Sequence, residues 1–163
     1  MPTEVKIREL GIEDRAWASK LLAKEWGSPL VVTKGESHQA DQLPGFVAYA
    51  DGEKVGLATY HIDKKGQSCE LITLNSLKEG IGVGKGLVDA IKKVAREKGC
   101  KRLWLITTND NIPALRWYQK RGFHLSALYP NAIEASRKIK HSIPMIGMDA
   151  IPVRDEIELE IWL

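Results

Sequence analysis

The sequence has little cysteine. Cys69 and Cys100 are its only two cysteines, and they do not form a Cys-x-x-Cys motif. So few thiols argue against a disulfide framework and a cysteine-based zinc site, and they are typical of a reducing compartment. We therefore expect a cytoplasmic protein. The four histidines are scattered along the chain without ligand spacing, so we expect no metal site.

Long apolar runs and a strong net charge are also lacking. No stretch reaches the roughly 20 apolar residues that a transmembrane helix needs, and residues 1–5 do not resemble a secretory signal. The net charge of +3 is mild, whereas a nucleic-acid binder usually carries a far more basic patch. We expect neither a membrane nor a nucleic acid as partner. The chain of 163 residues is long enough to bury one core, which predicts a single domain over residues 1–163.

The sequence does contain a dense glycine turn between two regular patterns. A strand-like run at residues 70–74 leads to glycines at positions 80, 82, 84 and 86, and apolar residues then recur at helical spacing from Leu87. A strand, a glycine turn and a helix in this order present backbone N–H groups and a positive helix end to an anionic ligand. This turn therefore predicts a site for a phosphate-bearing molecule.

The spacing of the glycines excludes two familiar phosphate loops. A dinucleotide fingerprint needs glycine at i, i+2 and i+5, but the residues at i+5 from Gly80 and Gly82 are a lysine and a leucine. A P-loop needs Ser or Thr after its Gly-Lys pair, but Gly84-Lys85 is followed by another glycine. What remains is a Gly-x-Gly-x-Gly turn.

Two segments resemble the GNAT superfamily of acyl-CoA-dependent N-acyltransferases. The family's pyrophosphate loop reads Gln/Arg-x-x-Gly-x-Gly/Ala, and here the turn reads Glu79-x-x-Gly82-x-Gly84; Glu79 departs from the first slot. The family's second motif is Asn-x-x-Ala-x-x-x-Tyr-x-x-x-Gly-Phe. Its slots are all matched here, by Asn111, Ala114, Tyr118, Gly122 and Phe123.

The resemblance implies an α+β fold with a GNAT-like, mixed and largely antiparallel twisted sheet that helices flank in a single domain. The family-like part covers about residues 5–128. An extra helix and loop are expected at about 130–152, and a final strand at about 155–163. Members of the superfamily often dimerise, so a homodimer is also an expectation.

The resemblance further implies acetyl-CoA as co-substrate. The glycines would let the chain approach the pyrophosphate of the co-substrate. A backbone N–H near the end of the strand before the turn would donate a hydrogen bond to the thioester carbonyl. The asparagine of the second motif would contact the pantetheine or serve only as a helix cap. The implied cofactor-binding residues are Leu74, Asn75, Gly80, Gly82, Val83, Gly84, Lys85 and Asn111.

Two residues are candidates for proton transfer. Tyr118 matches the family's general acid for the departing thiolate, although a tyrosine on an amphipathic helix is often only packed. Glu70 is the candidate base, expected on the same strand face as Ile72 and Leu74, with an edge or ion-paired glutamate as the alternative. Trp26 falls at core spacing on the first helix, but in the superfamily the loop after this helix borders the acceptor site, so the resemblance also makes Trp26 a candidate for the acceptor pocket.

The sequence therefore predicts an N-acetyltransferase that moves an acetyl group from acetyl-CoA to a primary amine in a ternary complex, since no Cys or Ser sits in an activated-nucleophile setting. The acceptor is a small-molecule or peptide amine. The alternative is a non-catalytic CoA-binding or regulatory module.

Local patterns add four structural expectations. Asp51-Gly52 predicts a tight hairpin turn. The apolar run at residues 101–107 predicts a strand buried on both faces. Asn131 and Glu134 predict a capping box. Alternation over residues 156–161 predicts a strand whose apolar face alone is buried, while residues 30–44 show no clear pattern.

Overall fold

The computed structural model describes residues 3–163; Met1 and Pro2 lie outside the described residues. The strands are β1 (Val5–Glu9), β2 (Leu30–Thr33), β3 (Glu36–Gln39), β4 (Gly45–Ala50), β5 (Glu53–Ile62), β6 (Ser68–Ser76), β7 (Arg102–Thr108), β8 (His124–Tyr129) and β9 (Glu156–Trp162). The helices are α1 (Arg15–Trp26), α2 (Val83–Glu97), α3 (Ile112–Lys120) and α4 (Ala132–Ile139).

These elements divide into two compact units. The first contains the described residues up to 29, residues 39–103 and residue 163, and the second contains residues 30–38 and 104–162. In the first unit, β1, β4, β5 and β6 pair in that order, each antiparallel to the next. The hairpin turn predicted at Asp51-Gly52 is confirmed, since both residues have a positive φ, 52° and 76°, as a two-residue turn of this kind requires.

Helix α2 packs on β4, β5 and β6. Its apolar residues recur at helical spacing and line one face, as the sequence predicts. The fully or nearly buried members of this face are Val83, Leu87, Val88, Ile91 and Ala95. The helix ends near Gly99, whose φ of 83° is the left-handed conformation that glycine adopts at low cost.

Helix α1 buries Ala18, Leu21 and Leu22. Trp26 lies at the same apparent spacing, but its side chain is 43% exposed, so the core position predicted for it is wrong. The reason is local. Trp26 is the last residue of the helix, and the chain turns away at Gly27, which has a φ of 83°.

In the second unit, the order of strands is β7, β9, β8, and β2 and β3 form a separate hairpin. β8 and β9 are antiparallel, with an irregularity between Leu125 and Ala127. The β2–β3 hairpin occupies the segment that shows no clear sequence pattern. Its turn is Lys34-Gly35, with φ angles of 51° and 77°, so Lys34 is a lysine in the left-handed region.

Strand β7 differs from its prediction. Leu103 and Leu105, on one face of the strand, are 0% and 3% exposed. Trp104 and Ile106, which alternate with them, are only partly buried. The strand therefore buries one face rather than two. An apolar run alone does not distinguish a strand buried on both faces from a strand buried on one face, because tryptophan and isoleucine also occur on partly exposed faces.

The capping box predicted at the start of α4 does not form. Asn131 is the residue before the helix, but it has a φ of 59° and makes no side-chain cap. Side-chain capping normally requires an extended backbone at this position. Instead, the backbone N–H of Asn131 donates to Oδ1 of Asp155 over 2.8 Å.

The segment after α4 is mostly irregular, as predicted, and polar side chains hold it. Arg137 donates to the carbonyls of Ile143, Pro144 and Val153. The carboxylate of Asp110, which is 6% exposed, accepts from the backbone N–H of Met148 over 3.0 Å.

Gly147, next to Met148, leaves room for the carboxylate of Asp110. A Cβ at position 147 would overlap Oδ2 of Asp110 and come within 2.7 Å of a Val153 methyl.

The predicted fold class is confirmed. Seven strands outside the β2–β3 hairpin are largely antiparallel and are accompanied by four helices within the described range. The chain is of the α+β class with a mixed sheet, as the two sequence motifs imply.

Candidate functional site

The glycine turn precedes α2 and leaves open space above its backbone. Gly80 and Gly82 have φ angles of 79° and 87°, a region that residues with a Cβ rarely adopt. A Cβ at either position would have no heavy atom within 4 Å. The loop is therefore a shallow backbone cradle that side chains do not fill.

The start of α2 supplies the donors of this cradle. The N–H of Gly86 donates to the carbonyl of Gly82 over 2.9 Å, which is the first bond of the helix. The N–H groups of Val83, Gly84 and Lys85 come before it and have no partner inside the helix. Donors and dipole at a helix N-terminus favour an anion such as a phosphate.

The only side-chain cation among these loop residues is Lys85. Its ammonium lies 2.8 Å from the carboxylate of Asp89, one turn further along the helix. Both side chains are largely exposed, so this pair is weak. The attraction of the loop for an anion therefore comes mainly from its backbone.

Leu74 and Asn75 lie near the end of β6, opposite Ala58 and Leu57 of β5. The side chain of Asn75 is held in place, because its Oδ1 accepts a hydrogen bond of 3.4 Å from Nε1 of Trp26. The end of α1 and the end of β6 thus meet through these two side chains.

Glu70 lies on β6 as predicted, but it does not share a face with Leu74. Consecutive residues Thr59 and Tyr60 on β5 pair with Thr73 and Leu71 on β6, so Ile72 is an extra residue. A β-bulge of this kind shifts the alternation of faces by one residue.

The bulge moves Glu70 to the face of Thr73, whose hydroxyl lies 2.7 Å from that of Thr59. The expectation that Glu70 shares a face with Ile72 and Leu74 is therefore wrong. Its side chain is buried, since the residue is 3% exposed, and it lies opposite His61 of β5. A buried carboxylate between the buried residues Cys69 and Leu71 remains compatible with proton transfer.

The second motif forms α3 and its N-cap. Oδ1 of Asn111 accepts from the backbone N–H of Ala114 over 3.2 Å, so the predicted cap is confirmed. Tyr118 is 8% exposed and packs edge-on against the rings of Trp117 and Phe123, at centroid distances of 5.0 and 5.3 Å. Burial raises the pKa of Tyr118, so its hydroxyl stays protonated.

The candidate residues are divided between the units. The first unit contains the glycine loop, Leu74, Asn75 and Glu70, and the second contains Asn111 and Tyr118. Among residues 3–163, no group of three or more His, Cys, Asp or Glu side chains could hold a metal ion. No helix in this range is long and apolar enough to span a bilayer.

One cluster in the second unit is not predicted from the sequence. Glu156 and Glu158 are 1% and 6% exposed, so the expectation that only the apolar face of β9 is buried is wrong. Tyr129 on β8 lies opposite Glu156, and Trp104 on β7 completes what we call the aromatic–carboxylate cluster: Trp104, Tyr129, Glu156 and Glu158. From the alternation alone, the glutamates of β9 would be expected to face solvent. Nothing in the local sequence pattern indicates that other parts of the chain bury them.

Lys34, from the β2–β3 turn, places its ammonium in this cluster. Nζ lies 3.3 Å from Oε1 of Glu158 and 5.2 and 5.0 Å from the ring centroids of Trp104 and Tyr129. Burial alone lowers the pKa of Lys34, but hydrogen bonding to Tyr129 and the charge of Glu158 raise it overall.

Comparison with known proteins agrees with the motifs. Residues 12–123 match the model of the acetyltransferase (GNAT) family. The uncharacterized protein YdhI of Bacillus subtilis (strain 168) is 42% identical over 136 residues, which are 83% of this chain and 84% of that protein.

Two further comparisons involve acetyltransferases. Streptothricin acetyltransferase of Streptomyces lavendulae is 33% identical over 116 residues, 67% of this chain and 61% of that protein. A GNAT family acetyltransferase from Elizabethkingia anophelis, solved with acetyl-CoA bound, superimposes with a TM-score of 0.69 at 18% identity over 98% of each chain. Motifs, fold and relatives agree, and the chain belongs to the GNAT family of acetyltransferases.

Proposed function

We propose that this protein transfers an acetyl group from acetyl-CoA to a primary amine, by direct attack in a ternary complex. The observation that carries the proposal is the backbone cradle at Gly80 and Gly82, which lies directly before the free N–H groups of α2. A pyrophosphate matches both its open space and its donors. The relative solved with acetyl-CoA bound supports this choice of co-substrate.

The co-substrate would be held along its length. The N–H groups of Val83, Gly84 and Lys85 bind the pyrophosphate, and a backbone N–H at Leu74 or Asn75 bonds the thioester carbonyl. Asn111 contacts the pantetheine with its amide nitrogen, because its Oδ1 already caps α3. The chemistry that acetyl-CoA supplies is the activated acyl group of its thioester.

The residues of the chain would move two protons. Glu70 accepts a proton from the acceptor ammonium, directly or through a water, and the free amine attacks the thioester carbon. The C–N bond forms and the C–S bond breaks. Tyr118 donates its phenolic proton to the departing thiolate, and its raised pKa keeps that proton available at neutral pH. The second proton of the attacking nitrogen passes through water to the resulting phenolate, so that a neutral amide, a free CoA thiol and the phenol of Tyr118 remain.

The acceptor is a small-molecule or peptide amine, and we favour a small molecule. The support is the relative named streptothricin acetyltransferase, which by its name acts on a small molecule. Two buried free thiols, at Cys69 and Cys100, support a cytoplasmic location. The homodimer stays a prediction, which sedimentation of the purified protein can check.

The test is turnover of acetyl-CoA with a panel of small amines, followed by release of free CoA thiol, together with calorimetry of acetyl-CoA binding. Binding and amine-dependent thiol release are expected together. Binding without turnover of any amine would instead indicate a non-catalytic CoA-binding module. Absence of binding would remove the assignment of the glycine loop.

A further inference from the structure

The side-chain amide of Asn75 has a fixed orientation. Its Oδ1 lies 3.4 Å from Nε1 of Trp26. An indole N–H is only a donor, so the atom that faces it must be the amide oxygen and not the amide nitrogen. The two N–H groups of Nδ2 therefore point away from the indole ring. Trp26, at the end of α1, thus decides which way the donors of this β6 residue point.

These donors have no partner in the part of the chain that the structure describes. Asn75 is 8% exposed, and its one side-chain hydrogen bond there is the one that its oxygen accepts. Nδ2 is not among the fully buried atoms that lack a bond, so the small accessible part of the residue includes this nitrogen. Largely buried donors are normally satisfied, and an oriented pair that is not satisfied is explained by a ligand oxygen that binds there.

Asn75 shares a face of the sheet with the candidate base. Its partner on β5 is Leu57, and the partner of Glu70 is His61. These β5 residues are an even number of positions apart, so they and their partners lie on one face. An amine that gives its proton to Glu70 and attacks a thioester held at Leu74 or Asn75 approaches from this face. All of these residues belong to the first compact unit.

The surroundings of the amide favour a neutral oxygen over a charged one. The next residues along this face are Thr73 and Thr59, which are 2% and 0% exposed and whose hydroxyls lie 2.7 Å apart. Neither they nor Trp26 supply a cation, and Glu70 further along the face is a carboxylate. A carboxylate on the ligand would be desolvated beside like charge. A carbonyl or hydroxyl oxygen accepts from the amide without this cost.

We propose that the side-chain amide of Asn75 binds a neutral oxygen of the acceptor, which is therefore a primary amine with a carbonyl or hydroxyl oxygen a few bonds from the amine. This inference rests on the proposed function. Trp26 orients the amide and presents its ring, which is 43% exposed, beside the bound oxygen. The role belongs to the side chain of Asn75 and is separate from the hydrogen bond that we assign to the backbone.

The experiment measures thiol release with two amines of similar shape. β-Alaninamide carries a carbonyl oxygen, and 3-methylbutylamine has two methyl groups in place of the amide. The quantity compared is the ratio of kcat/KM for β-alaninamide to kcat/KM for 3-methylbutylamine. Because the intrinsic reactivity of each amine is the same with every variant, it cancels when this ratio is compared between proteins.

Asn75→Asp keeps an oxygen for the indole N–H of Trp26 and removes only the two donors. The ratio is expected to fall about 3–10-fold, the usual worth of one hydrogen bond. Asn75→Leu removes the donors without adding a charge and should lower the ratio by the same factor, so it decides the matter if the aspartate variant does not fold. Gln67→Leu, at an exposed amide just before the other end of β6, is the control and should leave the ratio unchanged.

β-Alanine, which carries a carboxylate in place of the amide, tests the charge of the bound group. Its kcat/KM relative to 3-methylbutylamine is expected to be the same in the wild type and in Asn75→Leu. A fall as large as that for β-alaninamide would overturn the restriction to a neutral oxygen.

The same measurements separate this inference from the proposed function. Turnover of the amines with one ratio in the wild type, Asn75→Asp and Asn75→Leu would overturn the role of the Asn75 amide and leave acetyl transfer standing. Binding of acetyl-CoA without turnover of any of the three amines would overturn acetyl transfer to this class of amine, and with it the role of Asn75.

Discussion

Trp26 donates the N–H of its indole ring to Oδ1 of Asn75, 3.4 Å away. The bond connects the last residue of α1 to a β6 residue whose backbone we assign to the thioester. Trp26 itself is 43% exposed, so its ring remains accessible to an acceptor. The two side chains thus place an aromatic surface beside the strand end that we assign to acyl transfer.

Trp26→Phe keeps a six-membered aromatic ring and removes the indole N–H donor together with the five-membered ring. We expect the KM of the acceptor to rise about 3–10-fold, the usual worth of one hydrogen bond, while the Kd of acetyl-CoA stays constant. Steady-state kinetics and calorimetry measure the two quantities. Trp162→Phe, at an exposed tryptophan, is the control; an equal effect in both variants would contradict the role of Trp26.

Gly84→Val tests the glycine loop without backbone strain. Gly82 has a φ of 87°, so any substitution there also strains the fold, whereas Gly84 lies in the helix. We expect the Kd of acetyl-CoA to rise at least about tenfold, because the added side chain blocks the pyrophosphate. Ala90→Val adds the same kind of side chain further along α2 and should bind normally. Normal binding by a folded Gly84→Val protein would contradict the loop assignment.

Tyr118→Phe keeps the packing against Trp117 and Phe123 and deletes only the hydroxyl. We expect kcat to fall about 10–1000-fold, the usual contribution of a general acid, with little change in acetyl-CoA affinity. Single-turnover kinetics measure the chemical step. Tyr49→Phe, which removes a phenol bonded to Arg8, should leave kcat unchanged. If both variants turn over like the wild type, Tyr118 is only a packing residue.

Glu70→Gln keeps the shape of the side chain and removes its ability to accept a proton. We expect kcat to fall about 100–10,000-fold and the acidic limb of its pH profile to disappear, as for loss of a general base. The exposed Glu53→Gln is the control. An unchanged pH profile in Glu70→Gln would assign proton removal to another group.

Asp14 should make the stability of the protein depend on acid pH. It is fully buried and accepts from Arg8 over 2.6 and 2.8 Å and from Lys54 over 2.9 Å. The hydrogen bonds from Arg8 hold the pKa of Asp14 well below its usual range. Its contribution is therefore complete above the unfolded pKa of about 4 and declines as the pH falls below that value.

Asp14→Asn should accordingly lower the free energy of unfolding at pH 7 by about 2–3 kcal/mol, which is less than the roughly 3–5 kcal/mol for breaking a fully buried pair, because Arg8 is 41% exposed. Urea titrations at pH 7 and pH 3 measure the difference, which should shrink at pH 3. The neighbouring Glu13→Gln, at an exposed carboxylate, should cost little at either pH. A loss that is independent of pH would contradict this account.

Features encoded by adjacent residues could be predicted from the sequence. The Asp51-Gly52 turn and the Asn111 cap depend on a few neighbouring side chains and formed as expected. The face of Glu70 could not be predicted, because the bulge at Ile72 depends on pairing with β5. The burial of Glu156 and Glu158 depends on distant parts of the chain in the same way. Lys34 reaches these two glutamates from the turn of the β2–β3 hairpin, which the local sequence pattern does not predict.

The fit of Gly147 against Asp110 has a consequence for sequence variation. A side chain at position 147 would collide with the carboxylate that anchors the backbone of Met148, so the two positions cannot change independently. Among related chains, we expect aspartate at 110 and glycine at 147 to be inherited as a pair. A transplant of the segment between α4 and β9, which carries Gly147 and Met148, into a relative should succeed only when the recipient has an aspartate at the position of Asp110.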